Sequence, residues 1–465
     1  MDARAYINSH AREFIDDLKQ WLAIPSVSAD PRHRTDVRRS AEWLAGHLSS
    51  RGFPVAEVWE TGPDGLPALF AEWPADNPDA PSVLLYGHHD VQPAEPLEEW
   101  ESPPFEPAER DGRLFARGAS DDKGQVLFHS LGIRACLAVS GTKAPPVTIK
   151  LIVEGEEESG SPHFADLLRQ KRERLACDVI VVSDTGMWAA DVPSMCIGMR
   201  GLAAAEVTLS GPARDLHSGS FGGGVPNPAH AMASLLAGLH DETGRVTLPR
   251  FYDRVLPLSA EERELFARLP FDEKEWLAEA GQSGAAYGEQ GFTTVERIWA
   301  RPTAEVNGMW GGHTGPGSKT IIPRAAHAKV SFRLVADQDP AEVLAAVREY
   351  VQASTPTGLE SSVTAGEPGV RPSHSPVDSP AVRAGRRAMA RAFGRDVLFT
   401  KEGGSGPEAD LADILGAPLV FTGVALDSNQ IHAPNERIDL SLLLRGAEAS
   451  AYLWEELASV GSDLT

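Results

Sequence analysis

The sequence predicts an α/β protein in which helices cover both faces of a mixed, largely parallel sheet, with an α+β domain inserted into it. Over the first 200 residues, short apolar runs alternate with helical periodicity, which is typical of a parallel sheet covered by helices. From about Gly201 the pattern changes to the two-residue alternation of half-exposed strands. After about Arg371 the first pattern returns. The middle part is therefore predicted to be an insertion into a discontinuous domain.

The first segment, residues 1–200, is predicted to alternate helices and strands. The helices are expected at 34–53, 123–140 and near 162–175, and the strands at 81–90, 147–158 and 178–184. Polar residues cluster just after these strands. Because ligands of open α/β sheets bind outside the carboxyl ends of the strands, we expect the functional site at that edge.

The inserted segment, residues 201–370, is predicted to form a separate α+β unit with an antiparallel sheet. Its strands are expected at 203–211 and 325–335 and its helices at 227–240 and 340–351, whereas 251–300 shows charged helical patches without a clear motif. The last segment, 371–465, resumes the first domain. It is predicted to contain helices at 379–394 and 407–416, strands at 397–401 and 418–425, and a final helix from Leu440.

Length and composition narrow the class of protein. A chain of 465 residues exceeds the size at which one core stops growing, so two domains are expected. Its net charge of −23 excludes nucleic acid and anionic membrane surfaces as partners. The N-terminal segment lacks an apolar signal core, no run of roughly 20 apolar residues occurs, and the three cysteines are widely spaced. We therefore expect a cytoplasmic protein without a disulfide framework.

Five short segments contain acids and histidines at or just beyond predicted strands or in glycine-bounded turns. They are YGHHDVQP at 86–93, RGASDDKG at 117–124, EGEEESGS at 154–161, VVSDTG at 181–186 and QIHAPNE at 430–436. A hydrolytic two-metal centre needs about four terminal ligands and a bridging carboxylate, because ions ~3.5–4 Å apart repel unless an anion lies between them. Each of the five segments contributes one residue to that set, in the order His, Asp, Glu, Asp and His.

Two of the segments suggest specific pairs. His88 and Asp90 are two residues apart, so on an extended backbone they point the same way, and Asp90 can hold the free ring nitrogen of His88. The alternative is a strand-end histidine exposed to water. The adjacent Glu157 and Glu158 can divide the roles of base and metal ligand. The alternative is an acidic surface loop, against which stands the apolar strand that leads directly into this run.

The other segments are weaker evidence for a functional site when each is considered alone. In RGASDDKG the second Asp and the Lys open a predicted helix, where acids cap the positive end, and capping alone would explain one Asp. Asp184 and His432 are each more often structural than functional. Their significance comes from belonging to one ordered set.

This ordered set resembles the dinuclear zinc aminopeptidase-like hydrolases, a family that includes carnosinase-type dipeptidases, carboxypeptidase G, acetylornithine deacetylase and succinyl-diaminopimelate desuccinylase. The similarity covers nearly the whole chain and is greatest to the cytosolic dipeptidase branch. The motifs that carry it, in the family's order, are GHHDVQP, RGASDDKG, EEESGS, SDTG, DLHSG, KTIIP, SFRLV, EGGS and IHAPNE. The resemblance implies a catalytic domain formed by 1–200 and 371–465 and an inserted lid and dimerisation domain at 201–370.

The resemblance also implies the metal ligands. It assigns His88 and Asp184 to one ion and Glu158 and His432 to the other, with Asp121 as the bridge. The two divalent ions are expected to be zinc, with manganese or cobalt as alternatives.

Further roles follow from the same resemblance. Glu157 is expected to be the general base, Asp90 to orient His88, and the peptide bond after Asp121 to be cis, a geometry that occurs at functional sites. His217 in DLHSG is expected to stabilise the oxyanion, although a turn histidine is the alternative. The residues expected to hold the terminal carboxylate of the substrate are Thr320, Arg333, Gly404 and Ser405. A structural ion pair is the alternative for Arg333.

The function expected from these residues is hydrolysis of an amide bond in dipeptides or small peptide-like substrates with a free terminal carboxylate. N-acyl-amino-acid deacylase and carboxypeptidase activities are the alternatives on the same metal centre. A different alternative is a protein that binds metal and carries peptides without cleaving them. Such a protein would have no need of Glu157 as a base. Carnosinase-type enzymes have a further substrate-contacting histidine where this chain offers only the displaced His374, which argues against a carnosine-type preference. A homodimer through the inserted domain is expected.

Overall fold

The structure is a computed structural model that describes residues 1–366 and 369–461, and the chain divides into two compact units. Unit 1 comprises Met1–Gly198, His374–Thr400 and Gly406–Thr465, and unit 2 comprises Met199–Ser373 and Lys401–Ser405. Unit 2 thus interrupts unit 1 in sequence. The short segment Lys401–Ser405 belongs to unit 2, although 371–465 reads as one continuous part in the sequence.

The helices of both units follow in chain order. They are α1 Ala3–Leu22, α2 Arg34–Ser50, α3 Lys123–Ser140, α4 Phe164–Gln170, α5 Arg172–Leu175, α6 Ser218–Phe221, α7 Pro228–Ala237, α8 Ala260–Ala267, α9 Glu273–Glu279, α10 Thr294–Ala300, α11 Pro340–Ser354, α12 Pro380–Phe393, α13 Glu408–Leu415 and α14 Leu440–Val460. The helix predicted at 34–53 ends at Ser50, because the chain turns at Gly52 with a φ of 106°, which favours glycine. None of these helices is long and apolar enough to cross a bilayer, among the residues that the structure describes.

The strands are shorter on average than the sequence predicts. They are β1 Val55–Trp59, β2 Ala68–Trp73, β3 Ser82–His88, β4 Ala108–Arg110, β5 Arg113–Phe115, β6 Thr148–Glu154, β7 Val179–Val182, β8 Ser194–Met199, β9 Gly201–Ser210, β10 Leu216–His217, β11 Thr303–Gly311, β12 Ile321–Ile322, β13 Ala325–Leu334, β14 Glu360–Ala365, β15 Leu398–Glu402, β16 Leu419–Phe421 and β17 Arg437–Asp439. The strand predicted at 147–158 ends at Glu154, and a short 3-10 turn at Glu157–Ser159 follows it.

Unit 1 is built on a six-stranded sheet in the order β1-β2-β6-β3-β7-β16. The pairs β6–β3, β3–β7 and β7–β16 are parallel, whereas β1–β2 and β2–β6 are antiparallel. Consecutive residues of β3, β6 and β7 are buried, which requires cover on both faces. The predicted mixed, largely parallel sheet with helices on both faces is confirmed.

Two groups of helices provide this cover in unit 1. Helices α1, α3, α12 and α14 pack against one another, and α4, α5 and α13 form the second group. Strands β1 and β2 pack against α2. A small antiparallel sheet, β17-β5-β4, connects the segment before α14 to the segment before α3.

Unit 2 contains a four-stranded antiparallel sheet in the order β11-β13-β9-β14. Alternate residues of β9 and β13 are buried, as expected for a sheet with one covered face. The core of this unit includes Val207, Leu209, Val330 and Phe332, with α7 and α11 packed against the sheet. The predicted antiparallel sheet of the insertion is confirmed. The helical patches seen in the sequence between 251 and 300 correspond to α8, α9 and α10.

Candidate metal centre

Three parallel strands of unit 1 bring acids and a histidine to one edge of the sheet. His88 is the last residue of β3, the turn with Glu157 and Glu158 follows β6, and Asp184 lies just beyond the end of β7. Since β3 pairs in parallel with both β6 and β7, these carboxyl ends lie side by side. These side chains therefore meet outside the carboxyl ends of the strands, where open α/β sheets bind ligands.

Asp121 lies between two histidines that come from distant parts of the sequence. Its Oδ1 is 2.9 Å from Nε2 of His88, and its Oδ2 is 2.9 Å from Nε2 of His432. The side chain is largely buried. Burial opposes ionisation, but the hydrogen bonds to His432 and His88 prevail and hold the pKa of Asp121 well below its usual range. The Asp121–Asp122 peptide bond is cis, as the resemblance implies.

His88 is fully buried and held from both sides of its ring. Nδ1 lies 3.1 Å from the main-chain oxygen of Asp90 and 3.4 Å from the Asp90 carboxylate, so the carbonyl is the closer partner. The Asp90 carboxylate also accepts the main-chain N–H of Glu158 at 3.0 Å. Asp90 therefore connects the His88 loop to the glutamate turn, in addition to its contact with the imidazole.

The two adjacent glutamates have different surroundings. Glu158 Oε2 lies 3.3 Å from Nε2 of His432 and accepts a hydrogen bond from Nε2 of Gln92 at 2.6 Å. The Glu157 carboxylate makes no hydrogen bond or ion pair within the described part of unit 1. Burial, reinforced by the charges of nearby carboxylates including Glu158, raises the pKa of Glu157 to about 8.

Asp184 and the unpredicted Asp122 complete the cluster. Nε2 of His88 lies 3.7 Å from Asp184 Oδ2, and Asp122 Oδ2 accepts the main-chain N–H of His88 at 3.1 Å. Although Asp122 occupies the N-cap position of α3, its side chain makes no capping hydrogen bond. The capping interpretation of the second Asp is therefore wrong, because its carboxylate is engaged with the end of β3.

The donor atoms fit a divalent metal. Two overlapping sets, His88 with Asp121 and Glu158 and His88 with Asp122 and Asp184, place their ligand atoms within 4.8 Å of one another. Imidazole nitrogen and carboxylate oxygen are ligands that zinc, manganese and cobalt share. Burial, with the nearby Asp122 charge, raises the pKa of Asp184 well above its usual value. Cations would stabilise these crowded carboxylates.

Two further residues that sequence reasoning missed hold this cluster. Gln92 contacts Glu158 as described, and Glu436 accepts the main-chain N–H of Asp121 at 3.1 Å. Both residues lie inside motifs that carry the family resemblance, GHHDVQP and IHAPNE. Their presence in those motifs was the available signal, but neither spacing nor residue type indicated their partners.

In unit 2, His217 and Thr320 lie next to each other. His217 ends β10, which pairs with β12, and the following N–H of Ser218 donates to the main-chain oxygen of Thr320 at 3.0 Å. The His217 ring is exposed, and its Nδ1 accepts the N–H of Gly219 at 3.1 Å. Its Nε2 has no hydrogen-bond partner among the described residues of unit 2.

Arg333 and Ser405 also meet within unit 2. Nη1 of Arg333 donates to the Ser405 hydroxyl at 3.2 Å, and that hydroxyl donates to the main-chain oxygen of Arg200 at 2.5 Å. Gly404 precedes Ser405 on an exposed turn. Arg333 makes no ion pair with a carboxylate among the described residues of unit 2, so the alternative of a structural ion pair receives no support. His374, half-buried, lies in unit 1.

Comparisons with known proteins show the family of this chain. The model of "Peptidase family M20/M25/M40" matches residues 84–456. The Beta-Ala-His dipeptidase of Rattus norvegicus is 30% identical over 476 residues, covering 98% of this chain and 95% of the relative. The solved structure of the dipeptidase Dug1p from Saccharomyces cerevisiae is 26% identical, with a TM-score of 0.78 over 98% of both chains. A metallo-carboxypeptidase from Sulfolobus solfataricus is 30% identical, with a TM-score of 0.81 over 96% of this chain and 99% of that one. The chain is therefore a metallopeptidase that belongs to the family M20/M25/M40.

Proposed function

We propose that this metallopeptidase cleaves the amide bond of dipeptides and similarly small substrates with a free terminal carboxylate, and that it uses two divalent ions. The observation that carries the proposal is the position of Asp121, whose two oxygens each lie 2.9 Å from a different histidine. A carboxylate whose two oxygens lie next to different histidines is suited to be the bridging ligand that a two-metal site requires. The two dipeptidases among the relatives support the substrate class.

Five side chains would hold the ions. His88 and Asp184 would hold one, Glu158 and His432 would hold the other, and Asp121 would be the ligand common to both. We propose zinc, with manganese and cobalt as alternatives, because all three accept imidazole and carboxylate ligands. When bound, such ions polarise the substrate carbonyl and make water acidic enough to act as a nucleophile.

Glu157 has the position and freedom that a general base needs. Its neighbour Glu158 is engaged by His432 and Gln92, whereas the Glu157 carboxylate has no partner among the described residues of unit 1. Glu157 takes the proton of the attacking water and delivers it to the leaving amine. Asp90 keeps the His88 ring oriented through the contacts to Nδ1.

The residues of unit 2 act on the substrate. The exposed imidazole of His217 stabilises the developing oxyanion. The guanidinium of Arg333, held by the Ser405 hydroxyl, binds the terminal carboxylate, for which a planar fork of N–H donors is suited. Thr320 and Gly404 supply further polar contacts to the same carboxylate.

Carboxypeptidase action is the second candidate. The observation in its favour is the likeness to the metallo-carboxypeptidase of Sulfolobus solfataricus, 30% identical over nearly the whole chain. The metal centre and the carboxylate site would be the same in both activities. They differ in the length of peptide that the site accepts.

We further propose a homodimer formed through unit 2 and a cytoplasmic location. Strand β11 is an edge strand of the unit 2 sheet and exposes Val306, Met309 and Trp310. Exposed apolar side chains on a strand that is paired on one side only support pairing with a second copy. Neither Cys136 nor Cys177 forms a disulfide within the described residues, in keeping with a reducing compartment.

The proposal is tested with metal-loaded protein and three substrate panels: dipeptides, tripeptides and N-acyl amino acids. We expect dipeptides to be hydrolysed fastest. Elemental analysis of protein purified without chelator should approach two divalent ions per chain, and Asp121→Ala should lower the occupancy of both sites. A preference for longer peptides favours the carboxypeptidase candidate, and retention of both ions by Asp121→Ala would contradict the bridging role.

A further inference from the structure

Glu436 is a fully buried carboxylate that follows His432 by four residues and directly precedes β17. Among the described residues, none of its side-chain hydrogen bonds goes to an imidazole or to another carboxyl group. Its main-chain oxygen accepts the N–H of Ala116 at 3.1 Å, beside the ladder in which Arg437 of β17 pairs with Phe115 of β5. The residue is therefore fixed next to the segment that leads to Asp121.

The Glu436 side chain accepts four hydrogen bonds, all from that segment. Oε1 accepts the N–H groups of Ser120 at 2.9 Å and Asp121 at 3.1 Å. Oε2 accepts the N–H of Gly118 at 2.9 Å and Nη1 of Arg117 at 2.8 Å. With four donors and no acceptor around it, this carboxylate organises the loop 117–121 as a unit.

Arg117 extends these contacts to the loop that follows β3. Its side chain is also buried, and its Nη2 donates to the main-chain oxygen of Pro93 at 3.1 Å. Pro93 closes the segment GHHDVQP, which contains His88. One buried ion pair thus connects the three loops that contain His88, Asp121 and His432. Hydrogen bonds between charged groups and N–H donors are the stronger kind in proteins.

Position is critical for a carboxylate that has to meet two ions. Ions in such sites are ~3.5–4 Å apart, so a bridging ligand displaced by even a fraction of an ångström loses one contact or both. The main-chain N–H of Asp121 is bonded to Glu436, which fixes the point from which the bridging side chain projects. The short loop that contains Glu436 also contains His432, which is a ligand of one ion in the proposed function.

We infer that Glu436 is a positioning residue of the dinuclear centre: it contacts neither ion, but it sets Asp121 relative to His432 and so controls the affinity for both ions together. The inference rests on the proposed function, in which Asp121 is the bridge. A residue that served only the stability of unit 1 would not affect the two metal affinities in this way.

Glu436→Gln is the sharpest substitution, because it preserves the shape of the side chain. Its amide NH₂ replaces one acceptor oxygen, and in either orientation it faces two N–H donors. We expect both stepwise affinities to fall by roughly 10–100-fold, the size of effect typical of residues that orient metal ligands. Two ions per chain should still bind at saturation, because all five ligands remain.

The matched control is Glu448→Gln. Glu448 is another buried carboxylate of unit 1, 3% exposed, which accepts hydrogen bonds from Arg4 at 3.0 Å and Arg445 at 3.0 Å. It lies in α14, and within the described residues its hydrogen bonds go to Arg4, Arg445 and Tyr452 and to none of the metal-ligand loops. This variant should lower the thermal unfolding temperature and leave the affinity for metal within about twofold of wild type, the scatter expected of a remote change.

The experiment titrates metal-free full-length protein with Zn²⁺ against a chromophoric chelator, and with Co²⁺ by visible absorption, which reports the ligand geometry. The expected result is weaker binding of both ions and an altered Co²⁺ spectrum in Glu436→Gln only. Unchanged affinities in Glu436→Gln, or an equal loss in Glu448→Gln, would overturn the inference while leaving the proposed function intact. If wild-type protein binds fewer than two ions, the proposed function itself fails. Should Glu436→Gln not fold, Glu436→Asp, which keeps the charge but shortens the reach, has to show the same paired weakening or the inference fails.

Discussion

Glu157 and Glu158 are neighbours in sequence whose contacts differ, and this difference predicts different effects of the same substitution. Glu158 contacts His432 and Gln92, so Glu158→Gln should chiefly weaken metal binding. Glu157 has no such partner among the described residues of unit 1, so Glu157→Gln should keep its metal. Its turnover should fall by at least the ~10²–10⁴-fold typical of a lost general acid or base. Metal content by elemental analysis and kcat on a dipeptide check both statements.

The control for this pair is Gln92→Glu, which places a carboxylate against Glu158 in place of an amide donor. We expect it to resemble Glu158→Gln in metal affinity and not Glu157→Gln, because it affects the ligand and leaves the base. Equal loss of metal in Glu157→Gln and Glu158→Gln would show that the two roles are assigned wrongly.

The site residues differ in how well the sequence alone could indicate them. The sequence indicates His88 and Asp90 as a pair, because residues two positions apart on a strand have their side chains on the same side. The sequence does not indicate the role of Asp122, because an acid at the start of a helix usually caps that helix. The fold shows instead that the Asp122 carboxylate accepts the N–H of His88. The contacts of Glu436 could not be predicted from the sequence either. Three of its four partners are backbone N–H groups more than 300 positions away, and backbone groups leave no pattern in sequence.

At the scale of elements, helices α3 and α14 approach closely at Gly132. A Cβ built there would lie 2.6 Å from the main-chain oxygen of Ala447 and 2.6 Å from Cβ of Ser450. Gly132→Ala gains about 1 kcal/mol of helix propensity but overpacks this contact, which typically costs 1–3 kcal/mol and here involves backbone. We expect a lower unfolding temperature in thermal denaturation.

Gly46 in α2 provides the matched comparison. It is exposed, and a Cβ built there would meet nothing within 4 Å. Gly46→Ala should therefore raise stability by about 0.5–1 kcal/mol, because alanine loses less conformational freedom than glycine in a helix interior. If the two alanine variants shift the unfolding temperature in the same direction, the packing argument for Gly132 is wrong.

His129 of α3 predicts a dependence of stability on pH. The ring is fully buried between two hydroxyls, with Nδ1 2.8 Å from Ser450 Oγ and Nε2 2.9 Å from Ser183 Oγ. Burial lowers the pKa of this histidine to about 3. In the unfolded chain the ordinary pKa is ~6.5, so between pH ~6.5 and ~3 only the unfolded state takes up this proton. His129 therefore reduces stability as the pH falls through that window and has no such effect above it.

The measurement is the free energy of unfolding in urea at pH 7, 6 and 5 for wild type and His129→Gln. Glutamine can donate and accept hydrogen bonds but cannot titrate. Below pH ~6.5 the wild type should lose up to about 1.4 kcal/mol more per pH unit than the variant. Protonation of the metal ligands contributes to both proteins alike, so parallel slopes would contradict the prediction.

Some of the strands can be predicted from sequence patterns alone, and others cannot. Strands β3, β6 and β7 are predicted because each contains a run of consecutive apolar residues, as burial on both faces demands. Strands β1 and β2 are missing from the prediction. They form the antiparallel edge of the sheet, where VAEVW and ALFAEW mix polar and apolar residues without a clean period. The small sheet β17-β5-β4 consists of strands of three residues, which are too short for any periodicity to be visible.

For the whole molecule, the proposed site residues are divided between the two units. All five candidate ligands belong to unit 1, whereas His217 belongs to unit 2. The family resemblance implies that dimeric relatives lend this histidine to the site of the partner subunit. A two-fold interface built from one patch on each subunit permits such an exchange, and the exposed apolar side chains of edge strand β11 are our candidate for that patch.

The last prediction is that His217 acts in trans, and mixing two inactive variants tests it. His217→Ala lacks the oxyanion donor and Glu157→Gln lacks the base, so each homodimer should be nearly inactive. After reversible dissociation and random pairing at equal amounts, half of the dimers are mixed. If His217 serves the partner's site, each mixed dimer has one site with both defects and one with neither. About a quarter of the wild-type activity should then return. Native mass spectrometry of the mixture verifies that heterodimers have formed. If heterodimers are present and no activity returns, every site has kept one defect, His217 acts within its own chain, and the exchange between subunits is disproved.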